Sequence, residues 1–122
     1  MEYRISAAED NAYVILKFIG DIGRHNSMAQ IQEAHALGRK LGTNRFLLDL
    51  LEATNIDTTV DQYEFVHNDM SHTPGVDKYA RVAALVRSND HSHDFLETVF
   101  QNVGFNLRLF HDHAAALNFL SG

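Results

Sequence analysis

Residues 46–60 read FLLDLLEATNIDTTV, and this stretch decides the fold. Its first part, residues 46–51, is almost continuously apolar, which is typical of a strand covered on both faces. A polar loop with one isolated apolar residue, Ile56, follows, and Asp57-Thr58-Thr59 stands where a helix begins. Asp and Thr side chains cap helices because their oxygens accept hydrogen bonds from the free amides of the first turn. The stretch therefore predicts a buried strand, a loop and a capped helix.

Strand and helix patterns alternate on both sides of this stretch. The expected strands are residues 3–7, 12–19, 46–51 and 79–87, and a last strand that holds Phe105, Leu107 and Leu109. The expected helices are residues 26–41, 60–70, 95–103 and 112–120. Two glycines in residues 20–23 are expected to end the second strand. The order β-β-α-β-α-β-α-β-α predicts a single α/β domain over residues 1–122, with a mixed, mostly parallel sheet of four to five strands and about four helices.

Composition and charge exclude several classes of function. The 122 residues contain 10 Lys and Arg against 16 Asp and Glu, a formal net charge of −6, so a nucleic-acid partner is not expected. There is no cysteine, which excludes disulfides, thiol nucleophiles and zinc–thiolate sites. No basic-then-apolar leader opens the chain, and the longest apolar run is too short for a membrane span. The expected location is the cytoplasm.

Eight histidines suggest a metal site as an alternative. His91 and His93 form one H-x-H pair, and His111 and His113 form another. Two imidazoles two residues apart on an extended chain can converge on one ion. Both pairs, however, fall at expected strand-to-helix junctions, where His and Asp residues commonly serve in turns and caps. Asp112 is itself a good N-cap residue.

No motif of a known catalytic class is present. The sequence has neither the Gly-x-Ser-x-Gly elbow of hydrolases nor the glycine-rich loops that bind nucleotide phosphates. The pair Gly20-x-x-Gly23 is adequately explained as a turn at a strand end. We therefore expect no catalytic residue and no cofactor.

The hydroxyl of Thr58 suggests a regulatory role beyond capping. A side chain at a helix N-terminus is exposed, and free amides there stabilise a phosphate. Phosphorylation would place nearly two negative charges beside Asp57. Such a change can switch a protein-binding surface on or off.

The order of these motifs resembles the STAS domain, the module of sulfate transporters and anti-sigma factor antagonists whose type is SpoIIAA. Gly20-Asp21-Ile22 resembles the Gly-Asp/Glu-Leu that ends a strand in that family, and Asp49-Leu50 resembles its later Asp-Leu. Residues 56–59, Ile-Asp-Thr-Thr, resemble the apolar residue and Asp-Ser-Ser that precede a glycine. The ending, residues 107–120, resembles that of the STAS/SEC14 branch.

The resemblance implies a SpoIIAA-like fold with Thr58 as the phosphoacceptor and Asp57 and Thr59 as its neighbours. Threonines replace the family's serines here, and Val60 stands in place of its glycine. A β-branched residue does not adopt a glycine-only conformation, so the loop is expected to differ in shape.

These observations predict a non-enzymatic regulatory module that binds a protein partner or an identical copy, as in a homodimer. The expected surface is Val60, Tyr63, Phe65 and Val66, because a helix with these residues carries more apolar surface than one face buries. Two alternatives remain open. One is an enzyme with a metal site at His91, His93, His111 and His113, and the other is a domain that binds a small apolar ligand or lipid.

Overall fold

The computed structural model describes residues 1–122, which form five strands and four helices in the expected order. The strands are β1 (Glu2–Ala7), β2 (Val14–Ile22), β3 (Arg45–Asn55), β4 (Arg81–Leu85) and β5 (Asn106–Phe110). The helices are α1 (Met28–Leu41), α2 (Thr59–Glu64), α3 (Asp94–Val103) and α4 (His113–Ser121). A single 3₁₀ turn, Glu9–Asn11, joins β1 to β2, and a π-helical segment, Phe65–Met70, continues α2 without a break. The predicted α/β class is confirmed.

The five strands form one sheet whose spatial order is the same as their order in the chain. β1 runs antiparallel to β2, so the chain opens with a hairpin. β2, β3, β4 and β5 are parallel neighbours. The carboxyl ends of these four strands therefore lie along one edge, where ligands and partners of α/β folds usually bind.

Apolar side chains cover both faces of the sheet. On one face, β2, β3 and β4 pack against α1, the π segment and α3, and the cluster includes Phe18, Leu50, Val66 and Phe100. On the other face, Leu47, Ala83 and Leu85 pack against Ala116 and Leu120 of α4. The interior of β3 is thus covered on both sides, as its apolar run predicts.

Small residues let α1 lie close to the sheet. A Cβ added to Gly38 would lie 2.8 Å from the carbonyl oxygen of Thr43 and 2.9 Å from the ring of Phe46. Gly42 ends the helix in the left-handed conformation, with φ of 77°.

Two elements extend beyond their predicted bounds. β2 was expected to stop before Gly20, but it continues to Ile22 because the backbone passes through a register shift between Lys17 and Ile19 and then resumes pairing with β3. β3 continues to Asn55 for the same reason, since Gly20, Asp21 and Ile22 pair with Ala53, Thr54 and Asn55. Gly20, with φ of 100°, bends the strand without ending it.

No helix in the structure combines the length and the apolar character that crossing a membrane requires.

Candidate interaction site at the carboxyl edge of the sheet

The loops that follow β2 and β3 lie side by side because the two strands end in register. Ile22 pairs with Asn55, and the N–H of Ile56 donates to the carbonyl of Ile22 at 3.0 Å. The β2–α1 loop, residues 23–27, is therefore held against the β3–α2 loop, residues 56–58. This junction contains the predicted Asp57-Thr58-Thr59 segment.

Asp57 fastens the two loops together. Its Oδ2 accepts a hydrogen bond from the backbone N–H of Arg24 at 2.8 Å, and its own N–H donates to Asn55 Oδ1 at 2.9 Å. Its carboxylate also packs against Gly23, where an added Cβ would lie 3.0 Å from Asp57 Cγ and closer still to Oδ1. Asp57 is half-buried. Its carboxylate is thus part of the scaffold that positions the neighbouring hydroxyl.

Thr58 is the N-cap of α2, as its sequence position predicts. Its Oγ1 accepts a hydrogen bond from the N–H of Asp61 at 3.1 Å, and its carbonyl accepts from the N–H of Gln62 at 3.0 Å. The backbone of Thr58 is extended, with φ of −66° and ψ of 164°, as in an ordinary N-cap. Thr58 and Thr59 are both exposed.

Arg24 connects the same junction to the π segment. Its guanidinium donates from Nε to Asp69 Oδ2 at 2.8 Å and from Nη2 to Asp69 Oδ1 at 3.2 Å. Asp61 Oδ1 lies 3.8 Å from Arg24 Nη1. The hydrogen bond to Asp69 raises the pKa of Arg24, with further contributions from the charges of Asp69, Glu64 and Asp61 against a smaller opposing effect of burial. The loop after β2 and the helical segment after β3 are thus held in one arrangement.

The pairing of Arg24 and Asp69 was missing from the sequence-based prediction. The two residues are 45 positions apart, and neither stands in a recognisable motif. No local signal in the sequence identifies a pair of this kind.

The four residues predicted to form the interaction surface divide into two groups. Val60 is 69% exposed and Tyr63 is 46% exposed. Phe65 and Val66 are buried, at 6% and 0%, so their predicted exposure is wrong. The buried residues of this segment are Gln62, Phe65, Val66 and Met70, and their spacing of i, i+3, i+4 and i+8 places them on one side of a helix, so the prediction chose the wrong face. From residue 65 the turns are π-helical, with i→i+5 hydrogen bonds.

Ile56 adds a third exposed apolar side chain to this part of the surface, at 53%. The predicted surface is therefore better described by Ile56, Val60 and Tyr63, which flank the exposed threonines along the chain; we call these three residues the α2 face. The ring of Tyr63 stacks on His67 with a centroid separation of 4.0 Å. The stacking fixes the orientation of a large aromatic side chain at the surface.

The four histidines of the alternative metal site follow β4 and β5 at the same edge of the sheet, but their side chains take different partners. His91 is exposed, and its Nδ1 lies 3.0 Å from Asp94 Oδ2, whereas the side chain of His93 is 1% exposed. His111 Nδ1 lies 3.3 Å from the carbonyl oxygen of Val86. His113 is exposed at the start of α4, where Asp112 accepts from the N–H of Ala114 as the predicted cap. The structure brings together no group of three or more His, Asp or Glu side chains that could hold a metal ion.

Comparison with solved structures identifies the fold. No protein-family model matches the sequence, and no curated protein matches it significantly. An anti-sigma factor antagonist from Mycobacterium paratuberculosis superposes with a TM-score of 0.59 at 10% identity, over 99% of this chain and 94% of that one. SpoIIAA in its unphosphorylated form superposes with a TM-score of 0.56 at 16% identity, over 99% of both chains. An uncharacterised protein from Shewanella loihica with a SpoIIAA-like fold gives 0.57 at 18% identity, over 98% and 92%.

The chain therefore has the SpoIIAA-like, or STAS-type, fold. This result confirms the fold that the motif order implies. At these levels of identity the likeness is one of architecture, and the function has to be argued from this chain's own residues.

Proposed function

We propose that this protein is a non-enzymatic regulatory module of the cytoplasm that binds a protein partner through the α2 face. The observation that carries the proposal is the exposure of Ile56, Val60 and Tyr63 around an exposed N-cap hydroxyl. Large apolar side chains that remain in water at one place are typical of a binding surface. Two of the solved structures with this fold are of anti-sigma factor antagonists, which supports a regulatory role.

The charges around the α2 face indicate the kind of partner. Asp57, Asp61, Glu64 and Asp69 belong to the same segment of chain, and Arg24 forms ion pairs with Asp69 and Asp61. The whole chain is also acidic, with a formal charge of −6. Complementary potentials favour association, so the expected partner surface carries an apolar groove flanked by Lys or Arg.

Phosphorylation of Thr58 is the proposed switch. A phosphate on Oγ1 would add nearly two negative charges next to Asp57 and Asp61. It would also surround Val60 with bound water, because an ionised phosphate holds its hydration strongly. The modified face would bury its apolar side chains less favourably, so phosphorylation is expected to weaken partner binding.

The binding test compares matched aspartate substitutions. A partner captured from the native cell is purified, and its affinity is measured by calorimetry for the wild type, Val60→Asp, Tyr63→Asp and Tyr79→Asp. Tyr79 is the matched control because it is 87% exposed and precedes β4, at the opposite edge of the sheet. We expect a loss of at least about tenfold for Val60→Asp and Tyr63→Asp, the effect of removing about 1.4 kcal/mol. Equal affinities for all four proteins would contradict the α2 face.

The phosphorylation test has two parts. The intact mass of protein from native cells reports the modification, and Thr58→Glu is compared with Thr58→Ala in the calorimetric assay. We expect weaker binding for Thr58→Glu and wild-type affinity for Thr58→Ala. If the protein is unmodified under every growth condition and the two variants bind with equal affinity, phosphorylation of Thr58 is not a switch. The proposal that the α2 face binds a partner would still stand.

A second copy of the chain is the other partner that the same face could take. Light scattering across a concentration series identifies a homodimer, and Val60→Asp is expected to return such a dimer to monomer. A dimer that survives Val60→Asp would use a different surface.

A further inference from the structure

An apolar cavity lies between the sheet and the helices that cover its first face. Its volume is about 110 Å³, and 17 of the 25 residues that line it are hydrophobic. The wall comes from every layer of this face: Leu16 and Leu48 of the strands, Ile31 of α1, Met70 of the π segment and Leu96 of α3. A cavity of about 150 Å³ with a similar lining binds benzene in another protein, so this one is of the size for a molecule with a single ring.

One histidine on the cavity wall has a ring nitrogen without a partner. The side chain of His93 is 1% exposed, and no protein atom lies within hydrogen-bonding distance of its Nδ1. Its other nitrogen, Nε2, lies 3.2 Å from the carbonyl oxygen of Ala53 and 3.4 Å from Asp90 Oδ2. The only other buried side-chain atom without a partner, Gln62 Oε1, belongs to a residue that does not line the cavity.

The hydrogen-bond partners of Nε2 determine whether Nδ1 is a donor or an acceptor. Ala53 and Asp90 both offer oxygen acceptors, so the ring proton belongs on Nε2, where it is donated to them. Burial lowers the pKa of His93 below its ordinary value, against smaller opposing effects of the Ala53 carbonyl and the Asp90 charge. The imidazole is therefore neutral at pH 7. Its Nδ1 carries a lone pair and accepts a hydrogen bond.

Three other polar side chains on the wall, those of Ser27, His35 and Asp57, are already engaged within the protein. Ser27 Oγ donates to the carbonyl of Gly23 at 2.7 Å, and His35 Nδ1 accepts from the N–H of Asp77 at 3.2 Å. Asp57 Oδ2 accepts from the N–H of Arg24. Water inside a protein usually makes about three hydrogen bonds, whereas His93 Nδ1 is the one buried acceptor on this wall that lacks a partner. A molecule with a single donor group and an otherwise apolar body matches this wall better than water does.

We propose that the cavity is a binding site for a small, single-ring or similarly compact apolar molecule that carries one hydroxyl group. The apolar body fills the space between Leu48, Ile31 and Leu96, and the hydroxyl donates to His93 Nδ1. A buried acceptor without a hydrogen-bond partner is unfavourable, so a hydroxyl that donates to His93 Nδ1 contributes to ligand affinity. This site is separate from the α2 face and does not depend on the proposed partner.

The test compares phenol with toluene, which has nearly the same shape but no hydroxyl. Binding to the intact chain is measured by titration in ¹H–¹⁵N NMR spectra, with the ¹⁵N resonances of the His93 ring followed in the same samples. We expect phenol to bind about tenfold more tightly than toluene, because a hydrogen bond to a buried acceptor contributes about 1.4 kcal/mol. The Nδ1 resonance is expected to shift with phenol and to stay unchanged with toluene.

Two variants test the hydrogen-bond acceptor at His93 and the cavity volume separately. His93→Leu keeps an apolar wall and is expected to remove the preference for phenol while toluene still binds. Val82→Phe places a larger side chain on the cavity wall, keeps His93 and is expected to abolish the binding of both compounds. If His93→Leu does not fold, the phenol-to-toluene ratio of the wild type and the Nδ1 shift still decide the question.

Three results would overturn the proposal. They are equal affinity for phenol and toluene in the wild type, no binding of either at its solubility limit, and undiminished binding to folded Val82→Phe.

Discussion

The carboxylate of Asp57 lies directly against the backbone of Gly23, in the space that a side chain at position 23 would occupy. The contact joins two loops that are 33 residues apart, and the N–H of Arg24 donates to the same carboxylate. A Cβ at position 23 would displace this carboxylate, although the backbone of Gly23 does not occupy the left-handed region. The position of the Thr58 hydroxyl depends on this packing, because Thr58 follows Asp57 directly.

Gly23→Ala is expected to destabilise the fold by about 1–3 kcal/mol, the usual range for an overpacked site. The added methyl group would displace the Asp57 carboxylate from the Arg24 amide. Urea unfolding of Gly23→Ala, Asp57→Ala and the double variant gives a double-mutant cycle. In the Asp57→Ala background, Gly23→Ala is expected to be nearly neutral; full additivity would mean that the two residues are not coupled.

Thr58→Ala is expected to destabilise the protein by about 1 kcal/mol through loss of the α2 cap. Thr59→Ala is the matched control, because Thr59 is exposed and its hydroxyl makes no hydrogen bond in the structure, so a change within about 0.5 kcal/mol is expected. Thr58→Asp, which keeps a capping oxygen, is expected to retain most of the wild-type stability. Urea midpoints measure all three, and equal losses at positions 58 and 59 would contradict the role of the cap.

Phe65→Ala is expected to lower the free energy of unfolding by about 3–5 kcal/mol, the range for truncating a buried aromatic residue. Phe65 is 6% exposed, and its ring meets Phe100 edge to face at a centroid distance of 6.5 Å. Val60→Ala is expected to change the stability by less than about 0.5 kcal/mol, because Val60 is a surface residue. Thermal and urea unfolding of the two variants measure this difference, and a Phe65→Ala variant as stable as Val60→Ala would mean that the Phe65 ring is not part of the core.

The sequence is sufficient for the fold and for the order of its elements because those depend on local patterns. The apolar run at residues 46–51 requires cover on both faces, and α3 and α4 cover opposite faces in the structure. The caps at Thr58 and Asp112 are also local signals, and both act as expected.

Features that depend on tertiary contacts could not be predicted in the same way. The change from α-helical to π-helical turns at Phe65 is one such feature, because no residue in the sequence of this segment marks it. The cavity beside His93 is space left between the sheet and the helices that cover its first face, which no pattern along the chain encodes. The H-x-H spacing suggested convergence, yet His91 is exposed and His93 is buried because the chain between them turns into α3.

The stability of the protein is expected to fall as the pH decreases below about 6.5, the ordinary pKa of histidine. Burial lowers the pKa of His35, although the Asp77 charge partly opposes it, and burial lowers the pKa of His93 in the same way. The unfolded chain therefore binds more protons than the folded chain between the lowered values and 6.5, and stability rises with pH across that window. The stabilisation that depends on neutral His35 and His93 is fully present above pH 6.5. It is lost as the pH falls through the lowered pKa values that the two groups have in the folded chain.

Urea unfolding at half-unit steps from pH 7.5 to 5.5 measures this dependence. The pKa values of the Asp90 and Glu52 carboxyls are lowered, so these two groups stay ionised throughout this pH range. Burial opposes the shift at Asp90, but the hydrogen bonds from Ser92 outweigh it, and the hydrogen bond from Lys17 lowers the pKa of Glu52. His35→Gln is expected to reduce the slope, and the same substitution at the exposed His25 is expected to leave it unchanged. A wild-type slope that is flat, or that rises toward acid pH, would mean that neither buried ring has to be neutral for the protein to fold.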